Sequence, residues 1–447
     1  MNFRGQRLLI VGAGKSGVAA ARYALAHGAQ VTLFDSKERE ALPREVGELQ
    51  RFGAQLYCGH ALPQRVDWQL CVVSPGVPPR IPILNMTREA KVEIISEMEL
   101  AYRAARHPFV AVTGTNGKTT VTSLIAYICE RAGIKHLLGG NIGTPLIGAV
   151  ERFNGSVIVA ELSSFQLEGC SSFKPHIAVY LNLTPDHLDR HGDFAGYMAA
   201  KERVFAQQAA DDYTVLNYDD EHTRAAAAKS AARIIWFSCS EQAGDGVYLR
   251  DGQVTYRFDG KQGILLPASG IYIKGRHNLQ NAMAAAAAAL CLGVEPERLA
   301  PALAEFRGVE HRLEFVLERD GVTYVNDSKG TNPDSTTQAL LAYEQPLILL
   351  AGGRGKGADF RPLMRLIAQK CKLLIIYGEC WRDLKDAADD CGYAAYQLAE
   401  GFEQAVRMAQ HSAVAGDVVL LSPACASWDM FSDYEERGRV FKKLVSE

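Results

Sequence analysis

Short apolar runs alternate along the chain with longer stretches in which apolar residues recur every three or four positions. The short runs read as buried strands, and the 3.6-residue periodicity between them reads as helices that cover those strands. Strands are expected at 8–11, 31–34 and 70–73, then at 108–112, 157–161 and 177–181, with a β-rich stretch over 233–273. Further strands are expected at 322–326, 347–351, 373–377 and 418–421. Sustained strand–helix alternation predicts mostly parallel sheets with crossover helices, so the fold class is α/β. The runs group into three blocks, 1–107, 108–307 and 308–447, and no Pro/Ser-rich linker separates them. The alanine run 284–289 continues a helical stretch and predicts a tightly packed helix.

Composition narrows this picture slightly. A chain of 447 residues fits about three domains. Hydrophobic residues make up 48%, enough for ordinary globular cores, and a net charge of −3 gives no global pull toward nucleic acid or acidic membranes. None of the ten cysteines falls in a C-x-x-C pair, which excludes a zinc ribbon and a dithiol redox motif, and so many thiols suit a reducing cytosol. The first apolar run is too short for a signal peptide and leads into a glycine turn. No run of about 18 apolar residues predicts a membrane-spanning helix.

Chemistry concentrates where predicted strands end. After strand 108–112 comes T-G-T-N-G-K-T-T, residues 113–120, then an amphipathic helix running toward Arg131. Strand, glycine loop and helix form a phosphate cradle, because glycines let backbone N–H groups converge and the helix N-terminus adds positive dipole. Lys118 would reach outer phosphates and the Thr119 hydroxyl would bind Mg²⁺. The loop is shortened: the general spacing puts its first glycine at 112, which is Val112, and the first glycine here is Gly114. A chance glycine turn is the bland alternative, weakened by the strand and the GKT sequence.

Gly12-Ala-Gly14-Lys-Ser-Gly17 follows another strand, and Asp35 ends the next one. This is a dinucleotide-binding fingerprint, so a Rossmann-like first domain is expected. It fits NAD, but it holds any pyrophosphate equally well, and no hydride-transfer site accompanies it. Ser74 would sit at the same mouth. Glu161 ends a third strand, where phosphate-loop proteins hold Mg²⁺. His187 and His191 lie four apart as in a zinc helix, but position 188 is leucine and the general-base glutamate is missing. His187 therefore reads better as a contact to Mg²⁺ or γ-phosphate. Lys201 alone would be a surface lysine. Asn278 and Asn281 could grip adenine, or Asn278 could simply cap its helix. In the last block, His311-Arg312, N-D-S-K-G-T-N at 326–332, G-G-R-G-K-G at 352–357 and S-P-A-C-A-S at 422–427 gather at one rim. Cys425 has no spaced histidine partner and reads as packing.

Taken together, T-G-T-N-G-K-T-T, E-L-S-S-F-Q-L, T-P-D-H-L-D-R-H, H-N-x-x-N, H-R, N-D-S-K-x-T-N, G-G-x-G-K-G-A-D-F and S-P-A-C-A-S resemble the Mur ligases. These ATP-dependent amide ligases build the peptide of bacterial cell-wall precursors. The similarity runs from Gly12 to near the C-terminus and is strongest to the member that adds D-glutamate to UDP-N-acetylmuramoyl-L-alanine. It implies a Rossmann-like UDP-binding domain over 1–107, a central P-loop ATPase-like domain over 108–307, and a Rossmann-like amino-acid-binding domain over 308–447. It also implies that the ligand at Gly12–Gly17 is UDP, not NAD.

Residue roles come from the same resemblance. Ser16, Asp35, Ser36, Lys37, Ser74, Asn141, Gln166 and His187 match positions holding the UDP-sugar. Gly114, Thr115, Asn116, Gly117, Lys118, Thr119 and Thr120 match the ATP loop, and Asn278, Asn281, Arg312 and Asp327 match further nucleotide contacts. Thr119, Glu161, His187 and a carbamate on Lys201, formed with CO₂, match the surroundings of two Mg²⁺ ions. Lys118, Glu161, His187 and Lys201 are the catalytic set. Lys329, Thr331, Lys356, Ser427 and Tyr434 match the D-glutamate pocket. Lys15 and Trp428 depart from the usual pattern or occupy variable positions. The implied reaction passes through an acyl phosphate, in a cytoplasmic, monomeric enzyme with small-molecule substrates and neither nucleic-acid nor membrane partners. Domain closure would exclude water. The rivals are folylpolyglutamate synthase, which lacks the first block, a sister ligase, an NAD-dependent dehydrogenase, and a nucleotide-regulated binding protein.

Overall fold

Three open sheets carry the expected α/β alternation in the computed structural model, which describes residues 1–240, 244–355 and 357–447, with Asp189 as backbone alone. The first sheet contains β1 (Arg7–Val11), β2 (Gln30–Asp35), β3 (Gln55–Cys58), β4 (Leu70–Val73) and β5 (Glu93–Ser96). Its order is β3-β2-β1-β4-β5, and every pair is parallel. The order reverses at β1, so the turns after β1 and β4 face a shared crevice, the place where open parallel sheets bind ligands.

The central sheet adds β6 (Phe109–Thr113), β7 (His136–Gly140), β8 (Val157–Glu161), β9 (Ile177–Tyr180), β10 (Tyr213–Asn217), β11 (Arg233–Ser238), β12 (Gly246–Arg250), β13 (Gln253–Phe258) and β14 (Lys261–Pro267). Its order is β14-β13-β12-β11-β10-β9-β6-β8-β7. The strands from β12 through β7 run parallel, and β13 and β14 close one edge as antiparallel hairpins. β6, β8 and β9 are buried along their whole length, as expected for central parallel strands covered on both faces.

The third sheet contains β15 (Glu314–Arg319), β16 (Val322–Asn326), β17 (Leu347–Gly352), β18 (Cys371–Tyr377), β19 (Tyr396–Leu398) and β20 (Val418–Leu421), in the order β15-β16-β20-β17-β18-β19. Only β15 pairs antiparallel. The neighbours β16, β20 and β17 therefore present their carboxyl ends side by side.

The sheets are distributed over two compact units. One comprises Met1–Gly270 with Asn281–Ala304, and the other Ile271–Gln280 with Glu305–Glu447. The helix Arg276–Cys291 begins in the second unit and continues in the first. Its alanines 284–289 are fully buried, as the sequence predicts.

Candidate active site

The glycine loop after β6 is held in shape from its far side. Thr115 N donates to Asn182 O (3.0 Å), Asn116 N to Asn182 Oδ1 (2.9 Å), and Asn182 Nδ2 back to Asn116 O (3.1 Å). Thr115 Oγ1 donates to Thr184 O (3.1 Å) and accepts from Thr184 N (3.0 Å) and Tyr197 OH (3.3 Å). The segment after β9 is thus a template for the loop. Gly117 has φ of +84°, and a Cβ there would stand 2.3 Å from Asn281 Oδ1. No other residue fits that position without displacing Asn281. The helix Lys118–Arg131 starts at once, with Thr119 and Thr120 buried in its first turn. Lys118 Nζ arches back over the loop, donating to Gly114 O (2.9 Å) and Thr115 O (2.7 Å).

Register then brings an acid alongside. Val112 of β6 pairs with Glu161 of β8, and Glu161 with Gly140 of β7. The Glu161 side chain is buried, and Asn141 Nδ2 donates to its Oε1 at 2.8 Å. Lys201, on the helix Phe194–Glu202, is 1% exposed and donates to Gly114 O at 2.6 Å. Burial, then the charge of Lys118, holds the Lys201 amine far below the ordinary lysine range, while Asp186 and Glu161 oppose that shift. Lys118, Glu161, Asp186 and Lys201 therefore share one electrostatic neighbourhood. His187 has a left-handed backbone at φ +53°, uncommon for a side chain with a Cβ and frequent at functional sites. Its ring meets Phe165 edge-on at 4.8 Å. The zinc alternative finds no support: His191 Nε2 sits 3.0 Å from Ser164 Oγ and its Nδ1 2.9 Å from Glu168 Oε1, so both ring nitrogens are engaged.

The residues at hand suit Mg²⁺, a hard cation that takes oxygen ligands. Glu161 offers a carboxylate and Thr119 a hydroxyl beside the loop, and the burial that lowers the Lys201 pKa favours its free amine.

At the first sheet, Asp35 closes the glycine turn. Its Oδ2 accepts from Ala13 N (2.7 Å) and its Oδ1 from Lys37 N (2.9 Å). A Cβ at Gly17 would overlap Gly12 O at 1.7 Å, so the first turn of the helix Lys15–Ala26 packs directly on the strand end. Ser16 lies in that turn, Ser36 and Lys37 follow β2, and Ser74 Oγ donates to Gly12 O at 3.2 Å. Ser74 also lines a cavity of about 310 Å³ with Val77, Arg88, Phe165, Glu168 and Arg190, which joins this mouth to the central sheet. Arg190 spans it, bonded to Val77 O (2.7 Å) and Glu168 Oε2 (2.9 Å), with its guanidinium 4.4 Å from the Phe165 ring centre. Two of the expected UDP-sugar residues have structural duties. Asn141 holds Glu161, and Gln166 forms a capping box with Ser163.

In the second unit, Asp327 is buried, accepting from Ser422 Oγ (2.7 Å) and Leu313 N (3.2 Å), and burial pushes its pKa up to about 6 against the pull of Arg312. Asn278 Nδ2 donates to Lys274 O at 2.8 Å. Burial and Arg312 push His277 down to about 4. Lys329 Nζ stands 5.2 Å from the Tyr434 ring centre, Thr331 is half-buried in the same loop, and Ser427 is buried. Lys356 lies outside the described residues. Cys425 is packing, as expected: it is buried with its Sγ 2.9 Å from Cys380 Sγ, and that contact together with burial drives its thiol pKa upward, away from nucleophilic character.

Sequence reading missed several residues. Asn182, Thr184 and Tyr197 shape the phosphate loop, although Thr184 opens the quoted T-P-D-H-L-D-R-H motif, and Arg437 is fully buried beneath the third-sheet loops. Among the described residues, one group of three His or acidic side chains could hold a metal, Glu310, His311 and Glu314. Lys442 already ion-pairs with both glutamates, which makes this a structural cluster.

Known proteins resemble this chain along its whole length. Residues 6–96 match the model of the Mur ligase MurD-like N-terminal domain, 112–289 the Mur ligase middle domain, and 311–425 the Mur ligase glutamate ligase domain. A protein of Pelotomaculum thermopropionicum named UDP-N-acetylmuramoylalanine--D-glutamate ligase is 45% identical over 99% of this chain and 98% of its own. A Desulfitobacterium hafniense protein of the same name is 44% identical over 100% and 98%. Among solved structures, MurC of Thermotoga maritima superposes with a TM-score of 0.60 at 20% identity, covering 99% of each chain. MurF of Acinetobacter baumannii reaches 0.64 at 18%, covering 98% and 93%, and both likenesses concern the fold.

Proposed function

This chain belongs to the Mur ligase family, and we propose that it joins D-glutamate to UDP-N-acetylmuramoyl-L-alanine with ATP, releasing ADP and phosphate in peptidoglycan precursor synthesis. The observation that carries this reading is full-length similarity, 41–45% identity over 99–100% of the chain, to proteins all named for that reaction. The UDP-sugar's L-alanyl carboxylate attacks the γ-phosphoryl group of ATP to give an acyl phosphate. The amine of D-glutamate then adds to the acyl carbon, and phosphate leaves from the tetrahedral intermediate. Lys118 lowers the repulsion between the carboxylate and the phosphate oxygens that it must approach. Asn182 and Tyr197 keep the loop N–H groups convergent, and Gly117 gives Asn281 its place beside them.

Two Mg²⁺ ions, held by Thr119, Glu161, His187 and a carbamylated Lys201, would supply further neutralisation of phosphate charge when bound. The depressed pKa of Lys201 supports the carbamate, because only a free amine reacts with CO₂. Lys329 and Lys356 grip the amino acid's two carboxylates, helped by Thr331, Ser427 and Tyr434. Asn278, Asn281, Arg312 and Asp327 serve the nucleotide, and the glycine turn with Asp35 serves UDP. We place the enzyme in the cytoplasm as a monomer; among the described residues no helix is long and apolar enough to cross a membrane.

Phosphate release from ATP should require UDP-N-acetylmuramoyl-L-alanine and be selective for D-glutamate within a panel of D- and L-amino acids. Equal rates with L-lysine or meso-diaminopimelate would assign the chain to a sister reaction. Calorimetry in which NAD binds tightly and the UDP-sugar does not would reverse the reading of the first sheet.

A further inference from the structure

One guanidinium lies where the carboxyl-end loops of β16, β20 and β17 converge. Arg437, on the helix Tyr434–Ser446, is fully buried. Its Nε donates to Ser328 Oγ (3.0 Å) and its Nη2 to Ser328 O (2.8 Å). Nη1 and Nη2 both donate to Cys425 O at 3.2 Å. Nη1 also comes within 3.3 Å of the position a Cβ would take on Gly353. Ser328 Oγ passes the linkage on, donating to Tyr434 O at 2.8 Å. The loops themselves are zipped together: Ala424 N bonds to Gly330 O, and Arg354 and Ala426 exchange two backbone bonds.

No ion pair of the described residues includes Arg437. Asp327 feels its charge, but the Asp327 oxygens are taken by Ser422 and Leu313 N. A buried cation whose contacts are carbonyls and a hydroxyl keeps its field, and burial makes such a charge expensive unless an anion completes it. The two loops it bonds carry Lys329 and Thr331 on one side and Ser427 on the other. A planar five-donor fork fixes the spacing of two loops at once, which a lysine ammonium cannot do.

We propose that Arg437 is a positioning residue for the amino-acid substrate. It holds the loops of Lys329, Thr331 and Ser427 at the separation a dicarboxylate needs, and its charge makes that pocket favour dicarboxylic over neutral or cationic amino acids. This deepens the D-glutamate reading and rests on it.

The test is steady-state kinetics on the full chain for Arg437→Lys, Arg437→Met and Ser328→Ala, with KM measured separately for all three substrates and Tm recorded. KM for D-glutamate should rise about tenfold or more in Arg437→Met, with an intermediate rise in Arg437→Lys and Ser328→Ala, while KM for ATP and the UDP-sugar stays within about twofold. A KM for D-glutamate within about twofold of wild type in folded Arg437 variants would overturn the proposal. So would a parallel rise of all three KM values tracking the fall in Tm. If Arg437→Met fails to fold, Arg437→Lys and Ser328→Ala decide by the same criterion. A wild-type enzyme that does not accept D-glutamate would sink the underlying reading instead, and that result is read from the control alone.

Discussion

Burial that lowers a lysine's pKa favours its nucleophilic form. Lys201 is buried against a loop carbonyl and faces the cation of Lys118, and both burial and that charge favour its free amine. Incubation with ¹³C-bicarbonate should therefore give a carbamate NMR signal in the wild type that is absent from Lys201→Ala and Lys201→Arg. Both variants should lose on the order of 10³-fold in kcat, and a short carboxylic acid added at high concentration should restore part of the alanine variant's rate. Full wild-type activity with no carbamate signal would end the idea. At this scale the sequence was readable at strand ends and the turns that follow them, since Glu161 and Asp35 close clean apolar runs and Lys118 follows one through a glycine loop. Arg437 was not readable. It stands in Y-E-E-R-G-R-V-F, where alternating charges look like a solvated helix face, and only the folded loops show that one of those charges points inward.

Elements explain which parts of the fold the sequence concealed. The strands found by pattern lie mostly in sheet centres, where both faces are covered and apolar residues run on without interruption. β3, β5, β7 and β19 all lie at sheet edges, and their mixed burial leaves no strong period in Q-L-Y-C, E-I-I-S, H-L-L-G-G or Y-Q-L. β10 is central, but its apolar core of Val215 and Leu216 is too short to stand out. The loop after β6 shows the opposite case, with glycine spacing dictated by contact. Gly117→Ala would force a Cβ into Asn281 Oδ1 with φ at +84°, a strain of order 1–3 kcal/mol. That variant should keep most of its Tm and lose ATP affinity in calorimetry. Unchanged ATP binding would show that Asn281 yields without consequence.

On the scale of the whole molecule, the first and central sheets meet through polar contacts, some buried and some exposed, within one compact unit. Glu97, at the start of the helix Glu97–Ala104, accepts from Ile147 N at 2.9 Å, and burial pushes its pKa up to about 7 from 4.5. His27 meets Glu151 at 2.7 Å across the same junction, and Ser96 N bonds to Gly169 O. Because the folded carboxyl prefers its proton, the contribution of Glu97 is fully present below pH 4.5 and is lost as pH rises to about 7. The swing is roughly 3 kcal/mol from the linkage of about 1.4 kcal/mol per pKa unit. Glu97→Gln keeps the acceptor for Ile147 N and should be more stable than wild type at pH 8 in denaturant titrations, with the gap closing by pH 5. Equal stability of the two proteins at pH 8 would show that water reaches the carboxylate.

The helix that passes from one compact unit into the other has a meaning for biosynthesis. A ribosome delivers the chain in order, so the glycine loop emerges early, while Asn281 and the buried alanines behind it arrive only after the segment 271–280. The first unit cannot finish folding before Ala304 leaves the tunnel, and the ten residues preceding Asn281 must wait for partners still unmade. The nascent enzyme thus carries an incomplete nucleotide cradle for much of its translation. A fragment ending at Ala304 should resist protease, and one ending at Gly270 should be digested rapidly.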